Sequence, residues 1–151
     1  MEGDWIMYRL QRTNDYQGLT EMFFRNGLEV DVFDETSEEL IQAWEMIEVE
    51  SGKRVGGMAL ERRAGVYVLA DMAVEEPHRG NHLGAQMLNK AIDEFKKMGG
   101  EQVFLVAKIP DFYRKWNFES MDRETAPNIS KCMTCDDFNT VCFPEVMYLN
   151  L

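Results

Sequence analysis

Leu69–Ala85, LADMAVEEPHRGNHLGA, passes from a strand-like apolar run through a proline-bearing turn into the glycine-flanked start of a helix. A helix N-terminus exposes unpaired backbone N–H groups and carries roughly half a positive charge, so it stabilises a phosphate without a dedicated side chain. Arg79 stands at the mouth of that seat. Gly80 and Gly84 have no Cβ to obstruct a bulky ligand, and Gly80 is free to take a left-handed turn. Leu83, Met87, Leu88 and Ile92 then recur at helical spacing, so the turn opens an amphipathic helix.

Downstream, Met98-Gly99-Gly100 ends this helix as a glycine C-cap, and Val103–Ala107 is a short unbroken apolar run. Such a run suits a strand buried on both faces and paired parallel to its neighbour. Val66–Ala107 therefore reads as strand, turn, helix, strand, one βαβ-like unit with its ligand at the carboxyl ends of the strands. Upstream, Trp44–Val49 and Val55–Leu60 form a hairpin about the turn Ser51-Gly52-Lys53, and Arg62–Gly65 turns the chain into Val66–Val74. Trp5–Leu10 is a first strand, and Thr13-Asn14-Asp15 starts a helix whose apolar face is Tyr16, Leu19, Met22 and Phe23. Asn26-Gly27 closes that helix as a left-handed cap. The acidic stretch Glu29, Asp31, Asp34, Glu35, Glu38 and Glu39 contains a second helix from Ser37 with Leu40 and Ile41 inward. Its charge is either a solvated face or a mouth that concentrates a cationic ligand.

At 151 residues and 45% hydrophobic, the chain reads as a single domain spanning 1–151, large enough for one core. The net charge of -11 argues against nucleic acid and anionic membrane as partners, because both recruit basic residues, and favours a cationic one. No apolar run nears the roughly 18 residues of a membrane span, and MEGDWIMYRL lacks a basic-then-apolar leader, so a cytoplasmic location is expected.

The segment Arg79-Gly80-Asn81-His82-Leu83-Gly84, preceded by Met72-Ala73-Val74 and the turn Glu75–Gly80, resembles motif A of the GNAT superfamily of acyl-CoA-dependent N-acyltransferases, Gln/Arg-x-x-Gly-x-Gly/Ala. His82 stands where the motif has its first glycine. Pro110–Glu119, PDFYRKWNFE, resembles the family's Phe-Tyr-x-Lys-x-Gly-Phe segment, with Asn117 at the glycine. Asparagine tolerates positive φ best among non-glycine residues, so the left-handed cap is retained. The resemblance covers about Trp5 to Glu119. It implies an α/β fold: a mixed, mostly antiparallel sheet with a central splayed parallel strand pair and helices on both faces.

It also implies direct transfer of an acyl group, most simply acetyl from acetyl-CoA as co-substrate, to a primary amine of a small molecule, amino acid or protein. The cofactor-binding set is then Met72, Ala73, Val74, Arg79, Gly80, Asn81, His82, Leu83, Gly84 and Ala85. The pyrophosphate lies on the amides of Gly80 to Ala85, and a strand amide, that of Val74, faces the oxyanion. Tyr113 is the implied general acid for the departing thiolate. An ammonium acceptor must lose a proton, which assigns Glu75 as base, with Asp71 and Glu61 behind it. His82 either substitutes for glycine with its ring outside the loop or donates to a pyrophosphate oxygen. Trp116 and Phe118 read as core anchors. The short link from Val106 to Tyr113 is similar to that of N-acetylglutamate synthase-type acetyltransferases and implies an amino-acid-like acceptor. The alternative is a non-catalytic acyl-CoA-binding or metal- or redox-sensing module on the same fold.

The Cys-containing C-terminal tail, 120–151, lies beyond the two motifs and holds every cysteine. Cys132, Cys135 and Cys142 include a C-x-x-C pair that suits zinc or an iron–sulfur site, with water, Asp136 or a second chain, as in a homodimer, completing the ligands. The other reading is three reduced thiols around the last strands. Val146–Leu151 closes the sheet.

Overall fold

A computed structural model of the chain describes residues 7–26, 40–63, 65–107, 109–122, 124–127 and 145–151. Seven strands form one sheet: β1 (Tyr8–Thr13), β2 (Leu40–Glu48), β3 (Arg54–Arg63), β4 (Val66–Val74), β5 (Gln102–Ala107), β6 (Glu119–Met121) and β7 (Glu145–Asn150). Their order in the sheet is β1-β2-β3-β4-β5-β7-β6. Every neighbouring pair is antiparallel except β4 and β5. The closing strand expected from the tail, β7, lies inside the sheet between β5 and β6 rather than at its edge.

The helices are α1 (Tyr16–Arg25), α2 (Leu83–Lys97) and α3 (Pro110–Arg114). Asp15 starts α1, its Oδ1 accepting from the Gly18 N–H at 3.1 Å, which satisfies one of the free amides of the first turn. Leu19, Met22 and Phe23 of α1 bury against Ala43 and Ala59 on one face of the sheet. On the other face Leu83, Met87, Leu88, Ala91 and Phe95 of α2 pack among Met46, Met58, Leu60, Leu69 and Leu105. The helices thus cover both faces, as the apolar spacing in each predicts.

Two local expectations need correction, the helix at Leu40 and Ile41 and the end of the first strand. Leu40 and Ile41 are not on a helix: they open β2, and Ile41 is exposed. Asn26 caps α1 with φ -95° and donates its own N–H to the last turn, while Gly27, the other half of the expected left-handed cap, lies outside the described residues. The Asn26 Nδ2 also reaches the Met22 carbonyl at 2.8 Å. The first strand begins at Tyr8 and runs to Thr13, past the expected end at Leu10. Trp5, Gly27 and Ser37 lie outside the described residues.

Candidate active site

β4 and β5 are registered parallel only at Tyr67 with Val103 and Val68 with Phe104. Beyond that point β4 continues to Val74 and β5 to Ala107, so the two strands part toward their carboxyl ends. On its other edge β4 stays paired to β3, and the Glu75 N–H donates to the Val55 carbonyl at 2.8 Å. Antiparallel ladders alternate hydrogen-bonded with non-hydrogen-bonded pairs, so the adjacent Gly56/Val74 pair and then Met58/Met72 are non-bonded. The backbone N–H groups of Met72 and Val74 therefore face the splay. This is an open strand edge inside the sheet, the kind of surface an extended amide-bearing chain joins by main-chain hydrogen bonds.

β4 leads directly into the phosphate-type turn. A 3-10 turn over Glu76–His78 is followed by Gly80 at φ 90° and His82 at φ 60°, and α2 begins at Leu83. Nothing lies within 4 Å of a Cβ built on Gly80, so the left-handed backbone, not crowding, requires glycine there. A Cβ on Gly84 would stand 3.5 Å from the Phe112 ring, an ordinary contact. Packing within the chain therefore does not by itself demand glycine at 84. His82 is exposed, makes no side-chain cap and takes a left-handed backbone. Asn81 closes the turn by donating Nδ2 to the His78 carbonyl at 2.9 Å.

Arg79 and Glu75 bracket this turn and both are held. Arg79 donates Nε to the Val74 carbonyl at 2.9 Å and an Nη to Asn26 Oδ1 at 2.8 Å. Glu75 accepts from Arg25 and from Asn26 Nδ2, each at 2.8 Å. Burial pushes its carboxyl up, but the bonds from Asn26 and Arg25 and the charges of Arg25 and Arg79 outweigh that and hold it below the usual carboxylate range. A carboxylate so stabilised is a weak proton acceptor.

A second carboxylate cluster lies on the α1 face. Glu61 is fully buried, accepting from Arg63 Nε at 2.7 Å and from the Tyr16 hydroxyl at 3.3 Å. Ala59 pairs with Asp71 and Leu60 with Leu69, so Ala70 is an extra residue in β4, a bulge that turns Asp71 to the same face as Ala73. Burial first, then the Glu61 charge, pushes the Asp71 carboxyl up to about 7, with the Arg63 charge opposing. Across the splay, Tyr113 on α3 meets Phe112 and Phe118 edge to face, at ring-centroid distances of 5.0 and 5.7 Å. Burial and then the Asp71 charge raise its phenol to about 12. Among the described residues none hydrogen-bonds its hydroxyl. The helix that carries it is tied to β7 by Arg114, which donates to both oxygens of Glu145 at 2.6 and 2.7 Å. Phe118 is buried and Trp116 packs at the edge of the main core, as the sequence predicts, and Asn117 has φ 69°.

Of the residues expected from sequence, Met72, Val74, Gly80, His82 and Tyr113 thus surround one splay and its helix start. Glu75 lies at the same end but is engaged by α1. Arg25, Asn26 and Tyr16 carried no signal for these contacts, since their partners lie 50, 49 and 45 positions along the chain, whereas Arg63 is only two residues from Glu61. The buried Glu61 within the apolar run Val55–Leu60 and its continuation was the one local hint. Cys132, Cys135 and Cys142 lie outside the described residues.

A family model described as an acetyltransferase (GNAT) domain matches residues 42–120. No curated protein is a significant match to the sequence. Among solved structures, the chain is similar to an acetyltransferase of the GNAT family from Staphylococcus aureus Mu50, with TM-score 0.72 and 18% identity over 96% of this chain and 99% of that one. It is similar to Rv2747 from Mycobacterium tuberculosis, solved in complex with CoA and NLQ, with TM-score 0.72 and 16% identity over 96% and 99% of the two chains. It also resembles N-acetylglutamate synthase from Neisseria gonorrhoeae, complexed with coenzyme A and N-acetyl-glutamate. That likeness has TM-score 0.66 and 15% identity, and covers 97% of this chain and 35% of that one.

Proposed function

This chain belongs to the GNAT acetyltransferase family, and from that premise we propose that it is an acyl-CoA-dependent N-acyltransferase, using acetyl-CoA to acylate a primary amine. The observation that carries the reading is the splay itself: Met72 and Val74 turn their backbone N–H groups into it, and β4 runs from there straight into the left-handed turn and α2. The pantetheine arm joins the strand edge, and the pyrophosphate lies on the amides of Gly80 to Ala85. That family neighbours were solved with CoA supports this placement.

In the transfer, the amine nitrogen attacks the thioester carbonyl, the C–N bond forms and the C–S bond breaks. The Val74 N–H faces the carbonyl oxygen as negative charge develops there. Tyr113 gives its proton to the departing thiolate and is reprotonated by the second proton that the nitrogen sheds as the amide forms; with its pKa raised to about 12 it stays protonated at neutral pH, and its hydroxyl is committed to no described partner. Asp71 takes the proton of the acceptor ammonium in place of Glu75. Its pKa of about 7 suits a base at neutral pH, whereas Glu75 is held too acidic and serves to anchor the turn. Glu61, Tyr16 and Arg63 support Asp71 from behind.

The acceptor is a cationic amine, a reading supported by the acidic balance of the chain and by the two carboxylates behind the splay. The likeness to N-acetylglutamate synthase favours amino acids as the first acceptors to try. The metal reading of the tail rests on the C-x-x-C spacing of Cys132 and Cys135, and elemental analysis of anaerobically purified protein tests it. The function is tested by CoA thiol release from acetyl-CoA against a panel of amines and amino acids. Amine-dependent release supports it; a CoA-induced thermal shift with no release for any amine would return the chain to a non-catalytic CoA-binding module.

A further inference from the structure

We propose that Asn26, at the carboxyl end of α1, is a positioning residue for the acyl-CoA site, and that Arg79 acts as a brace of the phosphate turn and not as a phosphate ligand. The inference rests on the reading that this turn takes the pyrophosphate of CoA.

Four side chains form one hydrogen-bonded cluster between α1 and the turn. The Asn26 carboxamide uses both of its ends. Nδ2 donates to the Met22 carbonyl and to Glu75 Oε1, each at 2.8 Å, and Oδ1 accepts from Arg79 at 2.8 Å. Reversing the amide would set its oxygen against a carbonyl and a carboxylate and its N–H groups against a guanidinium, so these partners enforce one orientation. The backbone N–H of Asn26 is itself spent on the last turn of α1, so the side chain projects from a fixed point. Arg25 adds a bond to Glu75 Oε2 at 2.8 Å.

Glu75 and Arg79 are the two ends of the turn over Glu76–His78. By holding one through Nδ2 and the other through Oδ1, Asn26 sets their separation. Arg79 also reaches the Val74 carbonyl with Nε, which locks the turn to the same residue whose N–H faces the splay. A displacement of Asn26 therefore moves Gly80 and His82 at the start of α2 and the last residue of β4 together. Arg79, with Nε and an Nη turned back to Val74 and Asn26, shapes the seat from behind.

The test measures the dissociation constant of CoA for the whole chain and for Asn26→Ala, Arg79→Ala, Arg79→Lys and the Asn26→Ala/Arg79→Ala pair, with the ligand-free melting temperature of each. Asn26→Ala is expected to weaken CoA by about tenfold, the scale of a lost hydrogen bond to a charged partner, although Asn26 is uncharged and its carboxamide is engaged by Met22, Glu75 and Arg79. The double variant should bind only as weakly as Arg79→Ala, since both changes break one network. Arg79→Lys keeps the charge but cannot span Val74 and Asn26, so it should bind no better than Arg79→Ala. Wild-type affinity in Asn26→Ala, full affinity in Arg79→Lys, or losses that add in the double variant would each overturn the proposal. If Asn26→Ala fails to fold, Arg79→Lys alone decides. Absence of CoA binding by the unaltered chain would instead sink the acyl-CoA reading, so the two failures are distinct.

Discussion

His82 and Asn117 are the two non-glycine residues with left-handed backbone among those described, at φ 60° and 69°, and each stands where the family's motifs have glycine. Both positions hold a backbone conformation that glycine adopts freely and L-residues do not. Left-handed backbone costs an ordinary L-residue roughly 1–2 kcal/mol, and asparagine less because its short side chain hydrogen-bonds locally. Asn117→Gly should therefore be neutral to slightly stabilising and Asn117→Ala destabilising by about 1 kcal/mol. His82→Gly should raise stability more than Asn117→Gly. Urea midpoints for the variants at constant m check the order.

The legible parts of this chain were those whose cause is local. Gly80, the apolar spacing from Leu83 to Ile92 and the glycines at 99 and 100 locate the turn and α2, because each acts within a few residues of itself. β2 was misread at Leu40 and Ile41 because Ala43–Ile47 is buried without alternation, so no period of two marks where the strand begins. The environment of Asp71 arises from a bulge at Ala70 that no residue type announces. The engagement of Glu75 was hidden for another reason: its donors, Arg25 and Asn26, lie 50 and 49 positions away, and only the packing of α1 on the sheet brings them there.

The seat of α1 on the sheet depends on Gly57 in β3. A Cβ there would overlap Leu19 Cδ2 and stand 3.1 Å from Met22 Cε and 3.2 Å from the Trp44 carbonyl. Gly57→Ala must displace the buried Leu19 side chain or push α1 outward, at a cost of about 1–3 kcal/mol typical of overpacked cores. Because Asn26 ends the same helix, the variant should also weaken CoA binding. Paired denaturant melts and CoA titrations measure both effects. A Gly57→Ala protein as stable as the parent would mean that α1 does not sit as close to β3 as described.

Tyr113→Phe removes the hydroxyl while keeping the ring contacts with Phe112 and Phe118, so stability should change little. A proton given to the leaving thiolate matters mainly in the transition state, so kcat should fall by about a hundredfold while the KM for acetyl-CoA stays near its original value. Single-turnover measurements separate this from product release. An unchanged chemical rate would remove Tyr113 from the mechanism.

Asp71 makes two predictions about pH that carry opposite signs. As base it must be ionised, so kcat/KM should rise about tenfold per unit up to pH 7 and level above it, and Asp71→Asn should lower the plateau by about a hundredfold or more. For stability, the folded chain holds this proton up to about pH 7 while the unfolded chain releases it near the ordinary aspartate value of 3.8. Between those values the native state binds more protons than the unfolded one, so this group's contribution to stability falls as pH rises from about 4 to about 7 and is constant above. Asp71→Asn abolishes the ionisation, so the variant should gain stability over the parent as pH rises through that window and keep the gain at pH 8. Urea midpoints at pH 5 and pH 8 for both proteins decide it. A difference between the two proteins that is the same at both pH values would show that Asp71 is not a carboxyl buried beside Glu61, and the assignment of the base would fall with it.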